Sequence, residues 1–172
     1  MAGPARNSLF GLTVQGCEIK PNTQCPNNKH MWNLNLVGAN LVGANLSLTD
    51  LSLTNLTGAN LTGVNLSGAD LTDAKLIDAN LSGANLSDAN LTRANLTRAN
   101  LSRANLTQAK LNGANLTSAG LPGADVTWAN LSGANLTGTY LFGANHLSGA
   151  NLTNAKFCNT TMPDGNKRND GC

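Results

Sequence analysis

"GANLSDANLTRANLTRANL", Gly83 to Leu101, contains the pattern from which the fold follows. Leu86, Leu91, Leu96 and Leu101 stand five residues apart, each with Ala two positions before it. The pattern runs well beyond this stretch. From Leu36 to Leu141 a large apolar residue occupies every fifth position, Leu everywhere except Val126. The small slot before it is Ala except at Leu34, Thr49, Thr54, Val64 and Thr139. Three further frames, centred on Leu147, Leu152 and Phe157, continue in shifted register.

A helix cannot accommodate this spacing. At about 100° per residue, a five-residue step would spiral the leucines round every face. A single strand fails as well, because five is odd and the next Leu would point the opposite way. The chain therefore turns once per five residues, so that every Ala and Leu faces one interior. The middle residue, usually Asn, and the last two, Ser/Thr then Gly, Asp or Arg, face outward or make the turn, where such residues are favoured. Short bent segments stacked coil on coil form a solenoid.

Composition agrees with a repeat and excludes several alternatives. The 172 residues carry a net charge of +2 and only 3% aromatics, too few for an ordinary globular core. With 41% hydrophobic residues and little net charge, the chain is not of disordered composition. No apolar run approaches the ~18 residues of a membrane helix. The start, "MAGPARNSLFGLTV", lacks a basic region followed by a long apolar one, and the expectation is a mature chain from which a signal peptide has been removed.

The pattern resembles the pentapeptide repeat family, A-(D/N)-L-x-x, over residues 34–158. The resemblance implies an all-β fold: a right-handed quadrilateral β-helix with four pentads per coil. About six coils, stacked ~4.8 Å apart, would make a rod ~30 Å long. Residues 1–33 and 159–172 would then be non-repeat caps, since a solenoid exposes its core at both ends. "LFGLTV", Leu9 to Val14, is expected to cover some of Val37, Val42, Leu48 and Leu53, which hold normally polar slots. A partner surface is the alternative for those four.

On a rod of that length the four cysteines pair within each end, Cys17 with Cys25 and Cys158 with Cys172, because bridged Cα atoms lie within ~7 Å. Free thiols are the alternative. The tail "FCNTTMPDGNKRNDGC" resembles the ends of cyanobacterial and plastid members, in which a Met-Pro-Asp-Gly turn follows the last frame. Tail and disulfides together point to the thylakoid lumen or periplasm, with the cytoplasm as the alternative. Fifteen N-x-S/T triplets arise from the repeat itself and carry no weight as glycosylation sites.

The chain has no phosphate-binding loop, no zinc-protease or nucleophile-elbow motif and no metal-ligand cluster. No catalytic, cofactor or metal residue is assigned, and an enzyme is not expected. His146 is an extra residue in "GANHLSGAN" and is expected to form a bulge that restores phase. His30, near the opposite end of the rod, cannot share a metal with it.

Binding is a better class than catalysis, and the expected role is a non-catalytic structural or protein-interaction scaffold, with another protein as the expected partner and a monomer or weak self-association as the state. Some family members are acidic dimers that imitate duplex DNA and block type II topoisomerases. Residues 35–157 carry as many bases as acids, which disfavours that mode and direct nucleic-acid binding alike. The charges are nevertheless sorted: residues 35–90 have net −4 and residues 91–157 net +4. With 20 residues per coil, Arg93 should lie beside Asp73 and Arg98 beside Asp78, leaving Arg103 without a partner. Arg103, Trp128, Tyr140 and Phe142 are the candidate partner contacts.

Overall fold

The computed structural model describes residues 13–14, 17–28 and 31–172. Its organising feature is a continuous ladder of parallel bridges. Each middle residue of a pentad pairs with the one 20 residues later, from Asn35↔Asn55 through Asp125↔Asn145. Four columns result, one per side of the coil. Side 1 carries Asn35, Asn55, Lys75, Asn95, Asn115 and Asn135. Side 2 carries Asn40, Asn60, Asn80, Asn100, Gly120 and Tyr140. Side 3 carries Asn45, Asn65, Asn85, Asn105, Asp125 and Asn145. Side 4 carries Asp50, Asp70, Asn90, Lys110, Asn130 and Asn151.

Backbone hydrogen bonding explains why five residues suffice for a side and a turn. Leu91 N–H donates to Lys110 O (2.7 Å) in the next coil, and Asn95 N–H donates to Ala74 O (2.9 Å) in the previous one. The turn between them closes when Ala94 N–H donates to Leu91 O (3.0 Å). Its third residue, Arg93, has φ 57°, the positive value of a type II turn. This left-handed slot recurs every five residues along the four edges of the coil, which is why Gly fills it so often: Gly83, at φ +64°, adopts it without a Cβ penalty.

The Asn of each pentad locks the turn that follows. Asn95 Oδ1 accepts from Thr97 N–H (3.1 Å) and from Thr97 Oγ1 (2.6 Å). Asp70 does the same with Thr72, at 2.9 and 2.6 Å. The N-x-S/T triplets are thus side-chain mimics of a backbone turn. Asn side chains also bond up the ladder, as Asn85 Nδ2 does to Asn65 Oδ1 (3.4 Å).

The interior is the stack of Leu and Ala, and the leucines from Leu36 to Leu141 that mark the repeat are buried throughout. Each buried Leu contributes ~1.5–3 kcal/mol. Where Thr replaces Ala inside, its hydroxyl donates to a carbonyl, as Thr54 Oγ1 does to Met31 O (2.9 Å) and Thr139 Oγ1 to Leu116 O (2.8 Å). Among the described residues no buried side-chain polar atom lacks a partner.

The ladder extends below residue 34. Gln24 bridges Asn45, Cys25 N–H donates to Asn45 O (2.8 Å), and Thr23, Cys25 and Met31 are buried in core positions. A short hairpin of β1 (Thr13–Val14) and β2 (Cys17–Glu18) precedes them. Leu9 to Leu12 and His30 lie outside the described residues. Val37, Leu48 and Leu53 are solvent-exposed, while Val42 is half-buried.

At the other end, His146 takes a left-handed conformation (φ 59°) and opens a 3-10 turn, Leu147–Gly149. The ladder resumes one residue later, with Asn130↔Asn151 and Tyr140↔Thr161. The insertion is therefore the phase-restoring bulge expected of it. Beyond it, β3 (Thr160–Thr161) and β4 (Lys167–Arg168) form a hairpin over the last coil. Phe157 fills the core slot, and the Arg168 guanidinium lies 3.7 Å from its ring centroid. Two disulfides tie the ends, Cys17–Cys25 with Cα atoms 5.8 Å apart and Cys158–Cys172 with Cα atoms 5.0 Å apart.

Candidate interaction surface

The outward slots vary while the interior does not, so any recognition resides in them. The first arginines are neutralised across coils. Arg93 Nε and Nη2 donate to Asp73 Oδ1 and Oδ2 at 2.9 and 2.6 Å, and Arg98 pairs with Asp78 at 2.7 and 2.6 Å. The paired guanidinium holds each Asp carboxyl below the usual carboxylate range and raises its own Arg. These pairs remove half of the axial charge separation read from the sequence.

Arg103 has no carboxylate partner among the described residues. It sits on the edge between sides 2 and 3, where its N–H donates to Pro122 O (2.9 Å). Its aliphatic stem leans over the next coil: a Cβ placed on Gly123 would lie 3.7 Å from Arg103 Cγ. One coil further, Gly123 N–H donates to Phe142 O (3.3 Å). Arg103, Pro122 and Phe142 therefore climb one edge in successive coils. Phe142 (51% exposed) stacks against Tyr140 (45%) with ring centroids 6.1 Å apart and an interplanar angle of 27°.

Trp128 does not join them. It occupies the edge between sides 3 and 4, in the column of Leu48, Gly68, Asp88 and Gln108, with the indole beside Gly149. Side 3 separates the two edges, and there Asp125 accepts from Thr127 side chain and backbone, which lowers its pKa, with His146 Nδ1 3.4 Å away. The candidate residues thus form two groups: Arg103, Tyr140 and Phe142 together, and Trp128 apart.

Sequence reasoning missed Trp32, which is 52% exposed beside the edge that also carries Leu53. Residues before 34 lack the consensus letters, so the repeat gives no signal there, although Met31 before Trp32 already holds a core slot. No group of three or more His, Cys, Asp or Glu among the described residues is arranged to hold a metal. No described helix is long and apolar enough to cross a membrane.

A parallel ladder at a 20-residue step round a Leu/Ala interior defines a β-helical solenoid, a class that presents side chains on a stiff lattice. The chain belongs to the pentapeptide repeat family: the family model of pentapeptide repeats matches residues 35–73, 74–113 and 109–145, in eight copies. No curated protein sequence matches it.

Several solved structures are similar to it. HetL, a pentapeptide repeat protein involved in heterocyst differentiation regulation from the cyanobacterium Nostoc sp. strain PCC 7120, is 29% identical with a TM-score of 0.46, over 87% of this chain and 92% of that one. A pentapeptide repeat protein from the Arabidopsis thaliana thylakoid lumen is 31% identical with a TM-score of 0.42, over 60% of this chain and 69% of that one. A trypsin-treated form of QnrB1, a plasmid-mediated fluoroquinolone resistance protein, is 23% identical with a TM-score of 0.56, over 71% of this chain and 63% of that one. The last likeness bears on the fold alone, a right-handed β-helix.

Proposed function

We propose that the chain is a non-catalytic protein-interaction scaffold, with a partner protein docking on the Arg103–Pro122–Phe142 edge and the adjoining Tyr140. The observation that carries this is the coincidence, on one edge and the side adjoining it, of an arginine without a carboxylate partner among the described residues and two exposed stacked aromatics. Arg and Tyr are enriched where binding energy concentrates, and Phe supplies apolar area. The partner chemistry that fits is an acidic group beside an apolar side chain. The scaffold itself is taken as about six coils over residues 34–158, with 1–33 and 159–172 as end segments, the first wound partly in the same lattice.

The compartment proposed is an oxidising one, thylakoid lumen or periplasm. Both disulfides support it, since such bridges persist outside reducing cytosol. Nucleic-acid binding is disfavoured because Arg93 and Arg98 already spend their charge on Asp73 and Asp78.

The test is affinity capture with the oxidised protein from the native compartment, wild type beside R103S and F142S/Y140S. Proteins retained by wild type and lost from both variants are the expected result. An identical set on all three would remove this edge from consideration.

A further inference from the structure

Side 4 and its edges hold a second, independent set of features. Leu48 (57% exposed) and Trp128 (67% exposed) are bulky apolar residues in the left-handed slot, at φ 55° and 54°. That conformation is disfavoured for a residue with a Cβ, and their exposure leaves apolar surface in water. Both stand on the edge between sides 3 and 4. Leu53, also left-handed and exposed, stands on the edge between sides 4 and 1.

Charge is sorted on the same side. Of the acids at residues 35–157, Asp73 and Asp78 are bound to arginines and Asp125 faces His146. The remaining three, Asp50, Asp70 and Asp88, all lie on side 4 or its edge with side 3, and none has a basic partner among the described residues. Lys110, equally without an acidic one, is two coils above Asp70 in the same column. Side 4 is thus apolar and acidic low on the ladder, basic and aromatic high on it.

The spacing makes this side self-complementary. Asp70 and Lys110 stand one coil either side of Asn90, and Leu48 and Trp128 stand two coils either side of Asp88 at the same level. A two-fold axis lying in the face at that level superposes both relations together.

We propose that two copies of the chain pair antiparallel through side 4. Asp70 of each copy meets Lys110 of the other, and Leu48 of each copy packs on Trp128 of the other. The pairing is isologous and closes as a dimer. Asp88 meets its own counterpart near the axis, which opposes association. The strip is roughly 20–25 Å long and one side wide. That is well below the ~800 Å² per partner of a standard interface, so the dimer is weak and concentration-dependent.

Sedimentation velocity across a concentration series tests the proposal, using the oxidised full chain. Wild type is expected to shift from monomer towards dimer with concentration at low salt and to lose this in high salt. Asp70→Lys alone and Lys110→Asp alone should each remain monomeric. An equimolar mixture of the two should associate, because the copies then present Lys against Asp at both positions. Each replacement puts into the ladder a residue that slot already holds elsewhere, Lys75 or Asp50, so folding is preserved. Asp88→Asn should tighten the dimer, and Trp128→Ser should weaken it about tenfold.

A wild type that stays monomeric at low salt, a mixture no more associated than its components, or an Asp88→Asn chain that associates less would each overturn it. None of these variants touches the Arg103–Phe142 edge, so capture of a partner protein there stands or fails separately.

Discussion

Arg93 and Asp73, one coil apart, are joined by two parallel hydrogen bonds of 2.9 and 2.6 Å. The pair shows how this lattice translates a 20-residue step in sequence into direct contact. Arg98 and Asp78 repeat it at the next edge. Both pairs stand at the surface, where such bonds are screened and help to choose register more than they add stability.

The pairs make a pH signature. The guanidinium hydrogen bonds lower the Asp73 and Asp78 pKa values relative to the unfolded chain. Their contribution is therefore complete above the unfolded carboxylate pKa and is lost as pH falls through the depressed folded values. Asp73→Asn and Asp78→Asn should each destabilise slightly at pH 7. The difference from wild type should vanish in strong acid and shrink in high salt, as read by urea midpoints at each condition.

The left-handed slot predicts the sign of surface substitutions. Gln108, at φ 59°, bears a Cβ there with no ion pair to offset it. Gln108→Gly should stabilise by about 1 kcal/mol. Gly83→Ala, at φ +64°, should destabilise by about the same amount although nothing lies within 4 Å of the new methyl. Thermal unfolding of the two variants should move in opposite directions. Equal shifts would mean that these edges are not held in the left-handed region.

The core makes a harsher prediction. Leu91 is fully buried in mid-ladder with leucines in the coils above and below. Leu91→Ala should cost about 2–5 kcal/mol, the transfer of the lost methyls plus the cavity left behind. Denaturant unfolding measures it directly. A cost under about 1 kcal/mol would show that the coils collapse around the gap.

The two disulfides should act locally. Each closes a short loop, with sequence separations of 8 and 14, worth about 2–3 kcal/mol at its own end. In a solenoid each coil contacts only its neighbours. Reduction should therefore raise hydrogen exchange near Phe157 to Arg168 and at Cys17 to Cys25 while leaving Leu86 to Leu101 protected. Uniform loss of protection would indicate one cooperative unit instead.

Much of this was legible in the letters. A five-residue apolar period with a small residue two before it admits neither helix nor flat strand, so the turning coil follows from side-chain direction alone. The Arg93–Asp73 and Arg98–Asp78 pairs followed once the coil length was set. Other features were not legible. Cys25 and Met31 hold core slots without the consensus letters around them, because burial in the lattice depends on position rather than on identity. The Asn95–Thr97 bonds, which account for the N-x-S/T triplets, needed side-chain geometry.

The sequence by itself determined the repeat, the inward residues and the order of charges along the chain, because these depend on spacing within one pentad. Tertiary structure decided how the outward residues meet. It stacked Phe142 against Tyr140, and it laid the Trp128 indole beside Gly149, 21 residues further on. The physical reason is that neighbours across coils are chosen by hydrogen bonds between residues 20 apart, and after His146 by a ladder shifted by one. Such neighbours meet only when the coil closes.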